Sequence, residues 1–69
     1  MDKYRLEYRY QYRSREGVVN TPWMLYRMYD ERKEAQREQV RQKEQVRTID
    51  RATKLLHEFR IIIQSEAAR

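Results

Sequence analysis

The chain has 69 residues, with 16 Lys and Arg against 11 Asp and Glu and a formal net charge of +5. This length allows one small domain with a marginal core, and the lack of cysteine excludes disulfides and thiolate zinc sites. No apolar run approaches the ~18 residues that span a membrane, and no signal peptide is visible, so we expect a cytoplasmic protein.

The first predicted element is a β-strand over residues 3–14, where two kinds of side chain alternate strictly. One side carries Tyr4, Leu6, Tyr8, Tyr10 and Tyr12. The other side carries Lys3, Arg5, Glu7, Arg9, Gln11 and Arg13. Successive side chains of a strand point to opposite faces, so the strand has an aromatic face and a basic face.

Two turn signals precede a second predicted strand over residues 22–29. Gly17, the only glycine, stands where a hairpin needs positive φ, and Val18 and Val19 can extend that hairpin. Pro22 cannot lie within a central strand. Alternation predicts one side with Trp23, Leu25, Arg27 and Tyr29 and the other with Met24, Tyr26 and Met28. Both sides are largely apolar, which indicates a partner surface.

A helix is predicted over about residues 30–56, because Asp30 is a natural N-cap and good helix formers follow it. A stripe at 4-3 spacing runs through Ala35, Gln39, Gln42, Val46, Ile49, Thr53 and Leu56. The two glutamines in its middle make it a poor coiled-coil seam. We therefore expect the helix to pack its ends on a sheet and to leave its centre partly solvated.

Residues 58–64 fit two structures. As a strand they place Phe59, Ile61 and Ile63 on the core face, and the triple isoleucine favours this interpretation. As a continued helix to the C-terminus they keep Ile62 and Ile63 on an apolar stripe and leave only Ile61 off it.

The predicted fold class is therefore α+β, a small antiparallel β-β-α-β sheet with one long helix on one face. The alternative is a β-hairpin followed by a helix to the C-terminus. The strand–strand–helix–strand order, the Trp23 that opens the second strand and the closing Phe59-Arg60-Ile61-Ile62 resemble small bacteriophage and prophage proteins. The resemblance implies a protein that binds nucleic acid or blocks a host protein, and it assigns no residue a role.

Catalytic motifs are absent from the sequence. The single histidine, His57, has no cysteine or serine triad to join, and no metal-ligand spacing or glycine-rich phosphate loop occurs. We expect no enzyme activity, no cofactor, no metal and no small-molecule substrate.

Two sets of residues are candidates for binding a macromolecule. The nucleic-acid candidates are Lys3, Arg5, Arg9, Arg13, Arg15, Arg27 and Arg60, of which the first four would form a row at ~6.7 Å steps along one strand. The protein-interface candidates are Trp23, Met24, Tyr26, Met28 and Ile62.

These patterns favour a non-catalytic binding protein. The first interpretation is a phage-type regulator or inhibitor that engages a host macromolecule through its sheet and hairpin. The second is a nucleic-acid-binding module that uses the basic strand face, and the third is a structural subunit of a self-assembling complex. A core this small also predicts a homodimer, because self-association stabilises small scaffolds.

Overall fold

A computed structural model describes residues 2–65, with side chains from residue 3 to residue 64. Within this range the elements are β1 (Asp2–Ser14), β2 (Gly17–Asn20), β3 (Met24–Tyr29), α1 (Arg32–Thr53) and β4 (His57–Ser65). The strands form one antiparallel sheet, and the helix connects β3 to β4. The predicted α+β class is confirmed.

The long alternating strand β1 is the centre of the sheet. β4 pairs with residues 2–10 of β1 along one edge. On the other edge, β2 pairs with residues 11–14 and β3 with residues 4–8. The backbone N–H of Thr21 donates to the Tyr10 carbonyl at 2.9 Å, so β2 and β3 follow each other along the same side of β1. Every other strand therefore depends on β1 for its hydrogen bonds.

The β1–β2 hairpin closes at Gly17, as the sequence predicted. Gly17 has φ of 119°, a conformation that side chains other than glycine rarely adopt. The Ser14 hydroxyl donates to the Gly17 carbonyl at 3.0 Å and accepts from the Glu16 N–H at 3.2 Å.

A β-bulge in β3 breaks the alternation that the sequence predicted. Leu6 pairs with Arg27 and Glu7 pairs with Leu25, so Tyr26 is an extra residue opposite β1. Residues that pair across strands share a face. Arg27 therefore lies on the face of Leu6, and the predicted grouping of Arg27 with Leu25 is wrong.

The ends of α1 also differ from the prediction. Its N-cap is Glu31, which makes no side-chain capping hydrogen bond, whereas the predicted cap, Asp30, forms an ion pair with Lys3 instead. The helix ends at Thr53 because Lys54 adopts the left-handed conformation, with φ of 63°. Helices commonly end at a left-handed glycine, and here a lysine takes that position. No glycine or proline therefore marks the end of the helix in the sequence.

The C-terminal segment is a strand, and the alternative of a continued helix is wrong. β4 pairs with β1 without irregularity, with Phe59 opposite Tyr8 and Ile61 opposite Leu6. The helix side chain Asp50 fixes the start of this strand, since its carboxylate accepts from the His57 N–H at 2.8 Å.

The helix lies on the face of Leu6, which we call the covered face. Leu6 and Ala35 are fully buried and are the core of the described chain. Tyr26 links the two layers, because its ring packs edge-on against Tyr8 at 6.2 Å and its hydroxyl donates to Glu38 of α1 at 3.1 Å.

The centre of the helix contacts the sheet through its glutamines. Gln42 Nε2 donates to the Tyr26 hydroxyl, and Gln39 Nε2 donates to the Phe59 carbonyl, each at 3.0 Å. Ile49, nearer the C-terminal end of α1, is 53% exposed. The C-terminal end of α1 contacts the sheet through polar groups, Asp50 and the Thr53 carbonyl, and not through the predicted apolar Ile49.

Candidate binding surface

Within residues 2–65 no helix lies against the opposite side of the sheet, which we call the open face. Register and ring contacts place on it Lys3, Arg5, Glu7, Arg9, Trp23, Leu25, Met28, Glu58, Arg60 and Ile62. These side chains come from β1, β3 and β4 and from Trp23, the residue before β3, so the face is assembled only when the sheet forms.

Glu7 is the centre of the open face and is only 8% exposed. Arg60 donates from Nε to its Oε1 at 2.8 Å, and the Nη2 atom of Arg60 is also 2.8 Å from this oxygen. Arg5 donates from Nε to Oε2 at 3.3 Å, and the Nη2 atom of Arg5 is 3.2 Å from Oε2. These hydrogen bonds, that of Arg60 first, outweigh the effect of burial and hold the pKa of the Glu7 carboxyl below its ordinary value.

Trp23 lies against two of the arginines. The guanidinium carbons of Arg9 and Arg60 are 4.5 Å and 4.2 Å from the centroid of its ring, within cation–π range. Arg9 also donates from Nε to Glu58 at 3.0 Å. Carboxylates and an indole ring thus fix the orientation of these guanidinium groups before any partner binds.

Three apolar side chains complete the open face. Leu25 is 47% exposed, and Met28 and Ile62 are also exposed. Met28 and Ile62 flank Arg5 on its two neighbouring strands, and Leu25 pairs with Glu7. The face therefore combines exposed apolar groups with charges that are already paired.

Three of the four residues in the predicted basic row lie together on the open face. Lys3, Arg5 and Arg9 lie on the open face, each with an acidic partner, and Arg60 joins them from β4.

The other nucleic-acid candidates lie elsewhere. Arg13 donates to the Thr53 carbonyl at the end of α1 at 2.7 Å. Arg15 is in the turn between β1 and β2. Arg27 is on the covered face, with its guanidinium carbon 6.0 Å from the Tyr29 ring centroid. Arg13, predicted as the fourth residue of the row, thus extends to the helix end, and Arg15 and Arg27 do not broaden the row.

The protein-interface candidates divide between the two faces. Trp23, Met28 and Ile62 are together on the open face, whereas Met24 pairs with Tyr8 on the covered face and Tyr26 contacts the helix. The β3 bulge separates Met28 from Met24 and Tyr26, which the alternation had placed on one side.

Three residues of the open face, Glu7, Glu58 and Leu25, were not among the predicted site residues. For Glu7 the sequence did contain a signal, because an acid stands between two arginines at a spacing of two, Arg5-x-Glu7-x-Arg9.

His57 has a local partner at the helix–β4 junction. Its Nδ1 is hydrogen-bonded to Asp50, and its ring stacks on Tyr10 with centroids 5.9 Å apart. Together with the bond from its backbone N–H to Asp50, these contacts tie the end of α1 to the start of β4.

No family model, curated protein or solved structure matches the chain. Within residues 2–65, no helix has the length and apolar character that would let it cross a membrane. The side chains described in this range also include no group of three or more His, Cys, Asp or Glu that could hold a metal ion.

Proposed function

We propose that this chain is a non-catalytic binding protein and that its open face contacts a partner protein. The observation that carries the proposal is the exposed apolar group of Leu25, Met28 and Ile62 beside Trp23 and its two arginines. Tryptophan, methionine and arginine are enriched at protein interfaces, and tryptophan and arginine dominate their binding energy.

Pre-ordering of the charged side chains supports a protein partner. An arginine that is free in solution loses about 0.5–1.5 kcal/mol of side-chain freedom when it binds. Arg60 is already held by Glu7 and Trp23, and Arg9 is held by Glu58 and Trp23. Less of this entropy remains to be lost on binding.

The biological role that fits this surface is regulation or inhibition of a host macromolecule in the cytoplasm. This role follows from the resemblance to small bacteriophage and prophage proteins. It requires a binding surface and no catalytic residue.

A second candidate function is nucleic-acid binding. The observation in its favour is, among the described residues, an excess of one cation on the open face, where Lys3, Arg5, Arg9 and Arg60 pair with three acids, Asp30, Glu7 and Glu58. A ligand held by phosphate contacts would bind less tightly as salt rises, by about 0.7–0.9 log units per contact per log unit of salt. Apolar contacts at Leu25 and Met28 would not produce this dependence.

One capture experiment separates the two functions. The chain and its Leu25→Asp and Trp23→Ala variants are immobilised and exposed to lysate of the source organism, with and without nuclease. We expect a bound protein that withstands nuclease and is lost in both variants. The matched control is Val40→Asp, at an apolar helix position that is 61% exposed, and it should bind like the parent chain.

Two results would overturn the proposal. Capture that disappears with nuclease and weakens in Arg5→Gln and Arg9→Gln chains would favour nucleic acid. Capture that both open-face variants retain would place the binding site elsewhere on the molecule.

A further inference from the structure

The two edges of the sheet are protected to different extents. The edge formed by β2 and β3 is interrupted at residues 21–23, which include Pro22, and again by the bulge at Tyr26. Prolines and bulges are the devices that prevent strands from pairing edge to edge. β4 has neither and pairs with β1 over nine consecutive residues.

The hydrogen-bond pattern shows which groups of β4 face outward. The Gln11 N–H donates to the Leu56 carbonyl at 2.9 Å, which fixes the alternation along the β1–β4 pair. Residues 58, 60, 62 and 64 therefore turn their backbone groups toward β1. Residues 57, 59, 61, 63 and 65 turn theirs toward the free edge.

The helix occupies only the first half of this edge. Asp50 accepts from the outward N–H of His57, and Gln39 donates to the outward carbonyl of Phe59. Among the described residues, no side chain or strand bonds to the outward groups of Ile61 and Ile63. Ile63 is also 55% exposed. At this half of the β4 edge, both the outward backbone groups and a side chain are therefore accessible.

We propose that residues 61–65 of β4 pair antiparallel with the same segment of a second copy, about a two-fold axis at Ile63. Three outward residues, 61, 63 and 65, are available, and Ile63 is their midpoint. Ile63 then pairs with Ile63 of the second copy, and Ile61 pairs with its residue 65. The segment Ile-Ile-Ile-Gln-Ser has no charge, so the two positively charged molecules meet without repulsion at the joint.

Self-complementary pairing supports a second copy as the occupant. About an axis at Ile63, each outward N–H of one copy lies opposite an outward carbonyl of the other. An edge strand with free backbone groups is a template for pairing with another chain.

Edge pairing also causes less electrostatic repulsion between the two copies than stacking of their open faces would. Stacked faces would bring Lys3, Arg5, Arg9 and Arg60 of both copies together, and among the described residues each set of four cations is paired with only three carboxylates, those of Asp30, Glu7 and Glu58. Edge pairing instead keeps both helices on one side and both open faces on the other. The inference goes beyond the proposed binding function, and its test does not depend on that function.

Sedimentation at tens of micromolar tests the pairing. We expect a dimer for the parent chain and a monomer for Ile63→Pro, because proline removes an outward donor but no bond to β1. Ile63→Lys should also be monomeric, since it places two like charges at the axis. The control is Ile49→Lys, a helix position of nearly equal exposure, which should remain dimeric.

Cysteine cross-linking tests the register, since the chain has no cysteine of its own. In an Ile63→Cys chain the two Cα atoms would be about 5.5 Å apart, within the range of a disulfide. In an Ile61→Cys chain they would be roughly 13 Å apart. Under mild oxidation Ile63→Cys should cross-link and Ile61→Cys should not.

Four results would overturn the proposal: a monomeric parent chain, an Ile63→Lys chain that stays dimeric, dissociation by Ile49→Lys, or equal cross-linking at positions 61 and 63. If Ile63→Pro disturbs the fold, visible as a changed circular dichroism spectrum, Ile63→Lys decides the question.

Discussion

The covered face buries Leu6 completely against the helix, whereas the open face buries Glu7 between two guanidinium groups. These two residues are neighbours on the same strand. The first is held by apolar contact, which is non-directional and depends on area. The second is held by charge-assisted hydrogen bonds, which require defined positions of Arg5 and Arg60.

The two faces of the sheet are therefore stabilised by different interactions. A face covered by a helix stabilises the fold but is not available to a partner. The open face stabilises the sheet through ion pairs and ring contacts and leaves Leu25, Met28 and Ile62 exposed. Burial of the core and exposure of apolar side chains thus occur on opposite sides of the same three strands.

The largest expected effect comes from placing a charge on the covered face. Ile61 pairs with Leu6, so Ile61→Asp would put an unpaired carboxylate beside the core. We expect this variant to lose its cooperative thermal transition. The matched change on the open face, Ile62→Asp, lies beside Arg5 and should melt near the parent temperature.

Equal damage by these two aspartates would contradict the comparison. It would mean that Ile62 is buried by a permanent partner and that the open face is not free in solution. Circular dichroism melts of both variants and the parent chain are sufficient to distinguish the outcomes.

A smaller effect is expected from truncation of a leucine on each face. Leu6→Ala removes the only large, fully buried side chain of the described range and should lower the free energy of unfolding by about 2–5 kcal/mol. Leu25→Ala, at an exposed position, should change it by about 0.5 kcal/mol or less. Urea unfolding measures both values. Similar losses at the two positions would show that the faces do not differ in burial.

The sequence predicted the division of β1 into two faces, because side chains alternate between the faces of a strand whatever packs against it. It also predicted β4, where three consecutive isoleucines outweighed the helical pattern. It could not predict the bulge at Tyr26, since an extra residue reverses the alternation without any local signal in an aromatic-rich strand. Arg27 was misplaced for this reason.

Ion pairs between residues that are far apart in the sequence could not be predicted either. Asp30 looked like a helix cap, but Lys3 at the start of β1 lies beside it in the fold. Glu7 meets Arg60 across 53 positions of sequence. Such pairs depend on strand order and register, and a pattern within one strand contains neither. The basic residues of the open face and three of its apolar residues, Trp23, Met28 and Ile62, were therefore predicted from the sequence, whereas the acids that order the arginines were not.

The smallest expected effect concerns the Glu7 carboxylate and its dependence on pH. Hydrogen bonds from Arg60 and then Arg5 lower the pKa of Glu7 in the folded protein. A lowered folded-state pKa means that the unfolded chain binds the proton more tightly. The contribution to stability is therefore full above the unfolded-state pKa and is lost as pH falls through the folded-state value.

Replacement of Glu7 by glutamine tests this contribution. At neutral pH the Glu7→Gln variant should be less stable than the parent by about 2 kcal/mol, the range of hydrogen bonds to charged groups. The gap should narrow as the pH of urea unfolding is lowered. Glu38, whose pKa is also lowered, chiefly by a hydrogen bond from Gln42, is unchanged in both proteins and cancels from the difference. Glu44→Gln, at an exposed helix position, is the control and should match the parent within about 0.5 kcal/mol. A gap that stays constant down to acid pH would mean that Glu7 stabilises the open face by its shape and not by its charge.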